Sequence, residues 1–291
     1  MDRLVKFLAH IDMVKISCVD STNLVEEARR THKLNPTPTA ALGRLLTMAA
    51  LMGASMKNED DKLTLQILGD GPIGSLLATS NQKAEVKGYV SEPLAEAEST
   101  KEGKLNVGAV IGKGDLRVIK DIGLKEPYIG MVPLQTGEIA EDFAYYFAFS
   151  EQIPSAVALG VLVDKDGSVK RAGGYLLQIM PNTPDEIIKL IEDRIKTSKS
   201  ITQMLEENMT LEEIATYISD DLDTRVVEEI EPKYKCDCSK ERMERALISL
   251  GKKELDGLAQ DEKTEIECHF CNKKYIFSKE EIIELGKTAQ A

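Results

Sequence analysis

Four of the five cysteines in this 291-residue chain stand near its C-terminal end, as Cys236-Asp-Cys238 and Cys268-His-Phe-Cys271, with 29 residues between the pairs. Whatever the intervening chain folds into must bring the pairs together. Residues i and i+2 of an extended segment point to one side, so Cys236 and Cys238 can face a single ion. A Cys-x-x-Cys turn wraps a metal with its two thiolates. Zinc takes four soft ligands in a tetrahedron, and the spacing predicts a closed site of Cys236, Cys238, Cys268 and Cys271 holding one ion. His269 could substitute for a thiolate, but four cysteines already complete the shell.

The surroundings fit a metal-stapled unit, here bounded as 233–291. "SKERMERALISLG" is an amphipathic helix with Met243, Ala246, Leu247 and Leu250 on one face and Gly251 at its end. "TEIEC" and "KKYIF" read as short strands flanking the second cysteine pair. "SKEE" opens a last helix with Ser278 as cap and Glu281 completing a capping box. So few apolar anchors need a staple, and losing the metal should unfold the unit.

Upstream, residues 1–180 read as a mixed-sheet α+β domain. "KLTLQIL" puts Leu63, Leu65 and Ile67 on one face, and "EVKGYV" does so with Val86, Gly88 and Val90. "DLRVIK", "SAVALGVLV" and "GGYLLQIM" are further strands, the last two joined through Asp166-Gly167, a two-residue hairpin signal. Helical spacing recurs at Ile139, Phe143, Tyr146 and Phe147. The apolar stretch Thr39–Lys57 reads as a core helix, with Thr37 as cap and Pro38 at the first position. Arg44 and several small polar residues within it argue against a membrane span.

Residues 181–232 read as a helical linker. Thr183 with Pro184, and Thr210 with Glu213, mark helix starts. Between Pro184 and Glu231 stand 14 acidic and 5 basic residues, most of the excess behind the chain's net charge of −12. Short helices of like charge depend on docking for their stability. On sequence alone this segment is either a solvated connection or one poised to unfold.

Several functions lose support. An acidic chain without a basic stripe is a poor duplex binder. No secretory leader is expected, and clustered cysteines without one point to a reducing compartment. "GDGPIG" lacks the Gly-Lys-Ser/Thr ending of a phosphate loop and reads as a turn. His10, His32 and Cys18 neighbour no nucleophile motif; they read as surface or packing residues, and no catalytic site is expected.

Cys-x-Cys remains a departure from the two Cys-x-x-Cys pairs of a permanent zinc staple. A disulfide wants Cα atoms about 4.4–6.8 Å apart, and an extended i, i+2 spacing lies near the upper limit. A bridge there would be strained, hence readily reversed. From the residues alone, a plain structural zinc module and a redox switch both stand.

The cysteine pattern resembles the C-terminal signature of the redox-regulated heat-shock chaperones of bacteria, the thirty-three-kilodalton heat-shock protein family. "ALGRLLTMAALMGA", "GDGPIG", "GKLNVGAVIGKGDLRVIKDIGL", "TGEIAEDFAYYFAFSEQIPSAVALGVLVD" and "AGGYLLQIMP" are similar to family segments in the same order. The resemblance implies an ATP-independent, cytoplasmic holdase, not an enzyme, that is inactive while reduced and zinc-bound. It implies that hypochlorite, or peroxide with heat, closes the disulfides Cys236–Cys238 and Cys268–Cys271 and releases zinc. The zinc unit and linker then unfold, and the active form pairs as a homodimer that holds unfolded client proteins. No client-binding residue, and no role for Cys18 or His269, is implied, and neither membrane nor nucleic acid is expected as a partner. Other classes open on the residues are a zinc-ribbon protein binding nucleic acid or the ribosome, with purely structural zinc, and a thiol oxidoreductase using Cys268 and Cys271. The latter lacks the thioredoxin-like setting its pair would need.

Overall fold

A computed structural model describes residues 1–100 and 103–289. By its internal contacts the chain divides into two units, Met1–Lys235 and Cys236–Ala291.

The first unit holds two sheets. One has five strands in the order β10 (Arg225–Ile230), β1 (Arg3–Ala9), β2 (Val14–Asp20), β9 (Val169–Ile179) and β8 (Ser155–Val163), all antiparallel. The other has six: β11 (Lys233–Tyr234), β5 (Glu85–Val90), β4 (Ser75–Ser80), β3 (Lys62–Gly69), β6 (Gly114–Asp121) and β7 (Tyr128–Pro133). There β11 runs parallel to β5 and the other pairings are antiparallel. The α+β architecture read from the sequence is the one observed.

Helix α1 (Thr22–His32) packs against α2 (Pro36–Gly53), which lies between the two sheets and buries every residue except Pro36 and Arg44. This explains a helix that is apolar all round. It faces Leu63, Leu65, Leu76 and Val86 from one sheet and Leu176 from the other in one continuous core. Each buried leucine there contributes about 1.5–3 kcal/mol. The Arg44 guanidinium donates to the carbonyl and carboxylate of Glu138, at 3.0 and 2.5 Å. Gly88 permits the close approach: a Cβ there would sit 2.5 Å from the Leu77 carbonyl oxygen and 2.9 Å from Leu46. The helix starts two residues earlier than the sequence suggests, with Asn35 as cap, because Pro36 already carries the φ a first helical position accepts.

α3 (Val107–Ile111) precedes β6, and α4 (Ala140–Tyr146) continues into a π-helical turn over Phe147–Glu151. The "GDGPIG" segment is the β3–β4 turn, with Gly69 N–H donating to the Gly74 carbonyl at 3.1 Å. The β8–β9 hairpin forms at Asp166-Gly167, but its loop covers residues 164–168 instead of two. Asp164 N–H reaches the Ser168 carbonyl at 2.8 Å, and Gly167 takes a φ of 86°.

Three short helices follow β9: α5 (Asp185–Thr197), α6 (Ile201–Glu206) and α7 (Leu211–Ile218). They lay Ile191, Met204, Leu205, Ile214 and Ile218 on the outer face of the five-stranded sheet, against Phe7, Ile16 and Tyr175. Thr210 caps α7 with Glu213 as anticipated. Thr183 does not cap α5. Its hydroxyl donates instead to the carbonyls of Met180 (2.8 Å) and Met13 (3.0 Å), leaving Pro184 at the cap position. Residues 225–230, read above as part of a helical segment, form β10. That strand pairs with β1 and is reinforced by Arg3–Glu229 and Lys6–Glu228 ion pairs, both at 2.7 Å.

The second unit contains α8 (Lys240–Ser249), α9 (Lys252–Leu258), the hairpin β12 (Lys263–Glu267)–β13 (Lys274–Ser278), and α10 (Lys279–Thr288). Helix α9 was not anticipated. Gly251, at a φ of 85°, ends α8 and at once serves as the cap of α9. No helix among the described residues is long and apolar enough to cross a membrane.

Candidate metal centre

The four clustered cysteines reach one point from two directions. Strand β11 runs straight into the first pair: Lys233 N–H donates to the Ala84 carbonyl (3.1 Å) and Lys235 N–H to that of Val86 (2.8 Å). Tyr234 fixes this strand, donating from its hydroxyl to the Gly88 carbonyl at 2.9 Å while lying 2.9 Å from Nε2 of the buried His32. Cys236 and Cys238 follow, and Ser239 ends the extended stretch by capping α8. The second pair forms the β12–β13 turn. Cys268 N–H donates to the Lys273 carbonyl (3.0 Å), and the N–H groups of Cys271 and Asn272 return to the Cys268 carbonyl at 3.2 and 2.8 Å. Asn272 takes the left-handed φ of 56° that so tight a turn needs.

All four Sγ atoms lie within 4.8 Å of one another. Cys236 Sγ is 3.7 Å from Cys268 Sγ, and Cys238 Sγ is 3.4 Å from Cys271 Sγ. A tetrahedral ion bound at about 2.3 Å by each sulfur would space them about 3.8 Å apart. The donor set therefore fits a thiophilic metal, and these four cysteines can hold one ion. Cys268 is buried and the other three are half-buried. His269 is exposed and stands outside the group of four.

The thiols differ in their surroundings. Burial pushes the Cys236 thiol well up, against a lowering bond from the Cys238 backbone N–H. Burial also raises Cys271, against a bond from the Lys273 backbone. Cys238 is opposed by burial too, yet hydrogen bonds from Tyr275 and then the neighbouring thiols bring it down to about 7. Tyr275 donates its hydroxyl to Cys238 Sγ at 3.1 Å, which raises its own pKa.

These sulfurs belong to the unit's apolar core. Cys268 is buried with Leu247, Leu255, Tyr275, Phe277 and Ile282, and the other three cysteines pack against this cluster. Lys240 lies over the Phe277 ring at 5.1 Å and pairs with Glu281 at 2.5 Å, while Arg242 pairs with Asp237 at 2.5 Å.

The remaining sequence candidates lie elsewhere. Cys18 is fully buried in β2, between Val5 and Tyr175 on the neighbouring strands, and burial pushes its thiol far up. His10 sits in the β1–β2 turn. Sequence reasoning missed two contributors, Tyr275 and Tyr234. Each looks like an ordinary strand aromatic, and its polar partner is distant in sequence.

The whole chain has relatives. The family model described as Hsp33 protein matches residues 2–278. A 33 kDa chaperonin of Clostridium botulinum (strain Hall) is 51% identical over 283 residues, covering 97% of this chain and 96% of the relative. One from Clostridium perfringens (strain 13) is 49% identical over 287 residues, covering 98% and 90%. The crystal structure of the 33 kDa chaperonin (heat shock protein 33 homolog) of Thermotoga maritima superposes with a TM-score of 0.92 at 42% identity, over 98% of both chains. With the match running through both sheets and on into the four-cysteine unit, the chain belongs to the Hsp33 family.

Proposed function

We propose that this protein is a redox-regulated, ATP-independent holdase chaperone of the cytoplasm, and not an enzyme. Cys236, Cys238, Cys268 and Cys271 hold one zinc ion per chain in the reduced, inactive state. The reading rests chiefly on four thiols within 4.8 Å, drawn from the start and the middle of a unit whose core is too small to stand alone. The metal supplies the cross-link that joins the extended Cys-x-Cys limb to the hairpin.

Oxidation dismantles that link. Each pair of zinc-bound thiolates gives up two electrons and closes a disulfide, Cys236 with Cys238 and Cys268 with Cys271, and the protons that the oxidant takes up come from solvent. Peroxide is reduced to two waters in the process, hypochlorite to chloride and water. A sulfur committed to a disulfide is no longer a thiolate ligand, so the unit loses its staple and unfolds. The acidic segment 181–232 loosens next, since short helices of like charge hold only through their docked apolar faces. The surface so exposed holds aggregation-prone client proteins, and the active form is a homodimer.

The test follows light scattering of an unrelated heat-denatured client with reduced and with oxidised protein, while released zinc is titrated. The expected result is suppression by the oxidised form, together with one equivalent of zinc per chain. Zinc release with no change in suppression would sink the reading.

A further inference from the structure

The two limbs of the four-cysteine site are supported differently. On the Cys-x-x-Cys limb the backbone itself fixes the turn: the N–H groups of Cys271 and Asn272 return to the Cys268 carbonyl at 3.2 and 2.8 Å. Cys238 is followed at once by Ser239, the extended cap of α8, so the chain does not turn back as it does after Cys268. The hydroxyl at its sulfur comes from 37 residues away, from Tyr275 on the opposite hairpin.

Tyr275 is well placed for this. It pairs with Ile266 in the β12–β13 ladder and is 7% exposed, its ring packed in the same cluster as Cys268 and Phe277. A ring held this way aims its hydroxyl with little freedom. A phenol has one proton to donate, and here it is directed at Cys238 Sγ, 3.1 Å away.

We propose that Tyr275 is a positioning residue of the metal site: its hydroxyl orients Cys238 Sγ and stabilises it as a ligand, so that the hairpin limb controls how firmly the Cys-x-Cys limb holds the ion. Outer-shell donors of this kind change metal affinity about 10–100-fold. The inference rests on the proposal that the four cysteines bind a metal. It adds a residue outside the ligand set that governs retention.

The experiment uses the full-length reduced chain loaded with zinc or cobalt. Tyr275→Phe keeps the ring and removes only the hydroxyl. It is expected to release zinc to a chelator about tenfold faster or more, and to shift the sulfur-to-cobalt charge-transfer band, which loss of packing alone would not move. Tyr275→His, which restores a ring donor, should recover part of both effects. Unchanged release and an unchanged cobalt band in a folded Tyr275→Phe protein overturn the role of Tyr275 alone. Failure of the unsubstituted chain to bind zinc or cobalt overturns the metal site itself, and the inference with it. If Tyr275→Phe does not fold around the ion, the unsubstituted protein loaded with cadmium-113 decides. A scalar correlation between the metal and a tyrosine hydroxyl proton is expected, and its absence overturns the proposal.

Discussion

At the scale of single residues, the polar groups of the first unit are matched over long sequence distances. Glu26 is an example on α1. It pairs with Arg29 (2.7 Å) and Arg30 (2.6 Å) and accepts the Val169 N–H at 3.0 Å, tying the helix to the start of β9. The bond from Arg29 leads in holding its carboxyl down to about 2, against an ordinary 4.5. A folded-state value below the unfolded one means the stabilisation is complete above about pH 4.5 and is lost as pH falls through about 2. Glu26→Gln should therefore cost about 1 kcal/mol at pH 7, solvent screening of the arginines having reduced the full linkage value. Denaturant melts of the two proteins at a series of pH values would check this. The difference should vanish toward pH 2, and a difference that persists there would exclude the ionised carboxylate as its source.

Among the elements, the helices α5 to α7 carry the sharpest physical tension. Their apolar stripes cover the outer face of the five-stranded sheet, while the segment they belong to, Pro184–Glu231, holds most of the chain's surplus negative charge, much of it in the connections and in β10. Helices this short have little stability once undocked. Hydrogen exchange across Asp185–Ile218 is therefore expected to accelerate at least about tenfold on oxidation, with α2 unchanged. Equal protection in both redox states would count against a loosening segment. Most elements here could be read from the chain because they rest on local signals. Leu63, Leu65 and Ile67 alternate, Thr210 and Ser278 cap their helices, and the all-apolar stretch from Thr39 has no place but a core. The elements that could not be read depend on distant partners. β10 is an acidic stretch with Val226 and Val227 both exposed, and only its pairing with β1 makes it a strand. The four cysteines were legible because metal chemistry fixes their spacing. Tyr275 and Tyr234 were not, since nothing near an ordinary tyrosine announces its partner.

For the whole molecule, the two units rely on different sources of stability. Residues 1–235 enclose α2 between two sheets and have an extensive apolar core, whereas the unit from Cys236 onward buries, among its described residues, seven apolar ones, one of them a cysteine. Zinc removal by a chelator under reducing conditions should unfold the second unit and leave the sheets intact. In amide exchange, β12, β13 and α10 should lose protection while α2 and β3 keep theirs. Full protection of β12 and β13 after metal removal would mean that the small core suffices without a staple.

The two-residue strand β11 has a bearing on how disorder travels along the polypeptide. Tyr234 is clasped by Gly88 and His32 only two positions before the first cysteine of the site. Unravelling that starts at Cys238 and runs toward the N-terminus meets this rivet almost at once. Slack arising there would be confined to the tail until the Tyr234 clasp opens. Loosening of the tail and of α5–α7 would then fall into two stages, with the Tyr234 contacts between them.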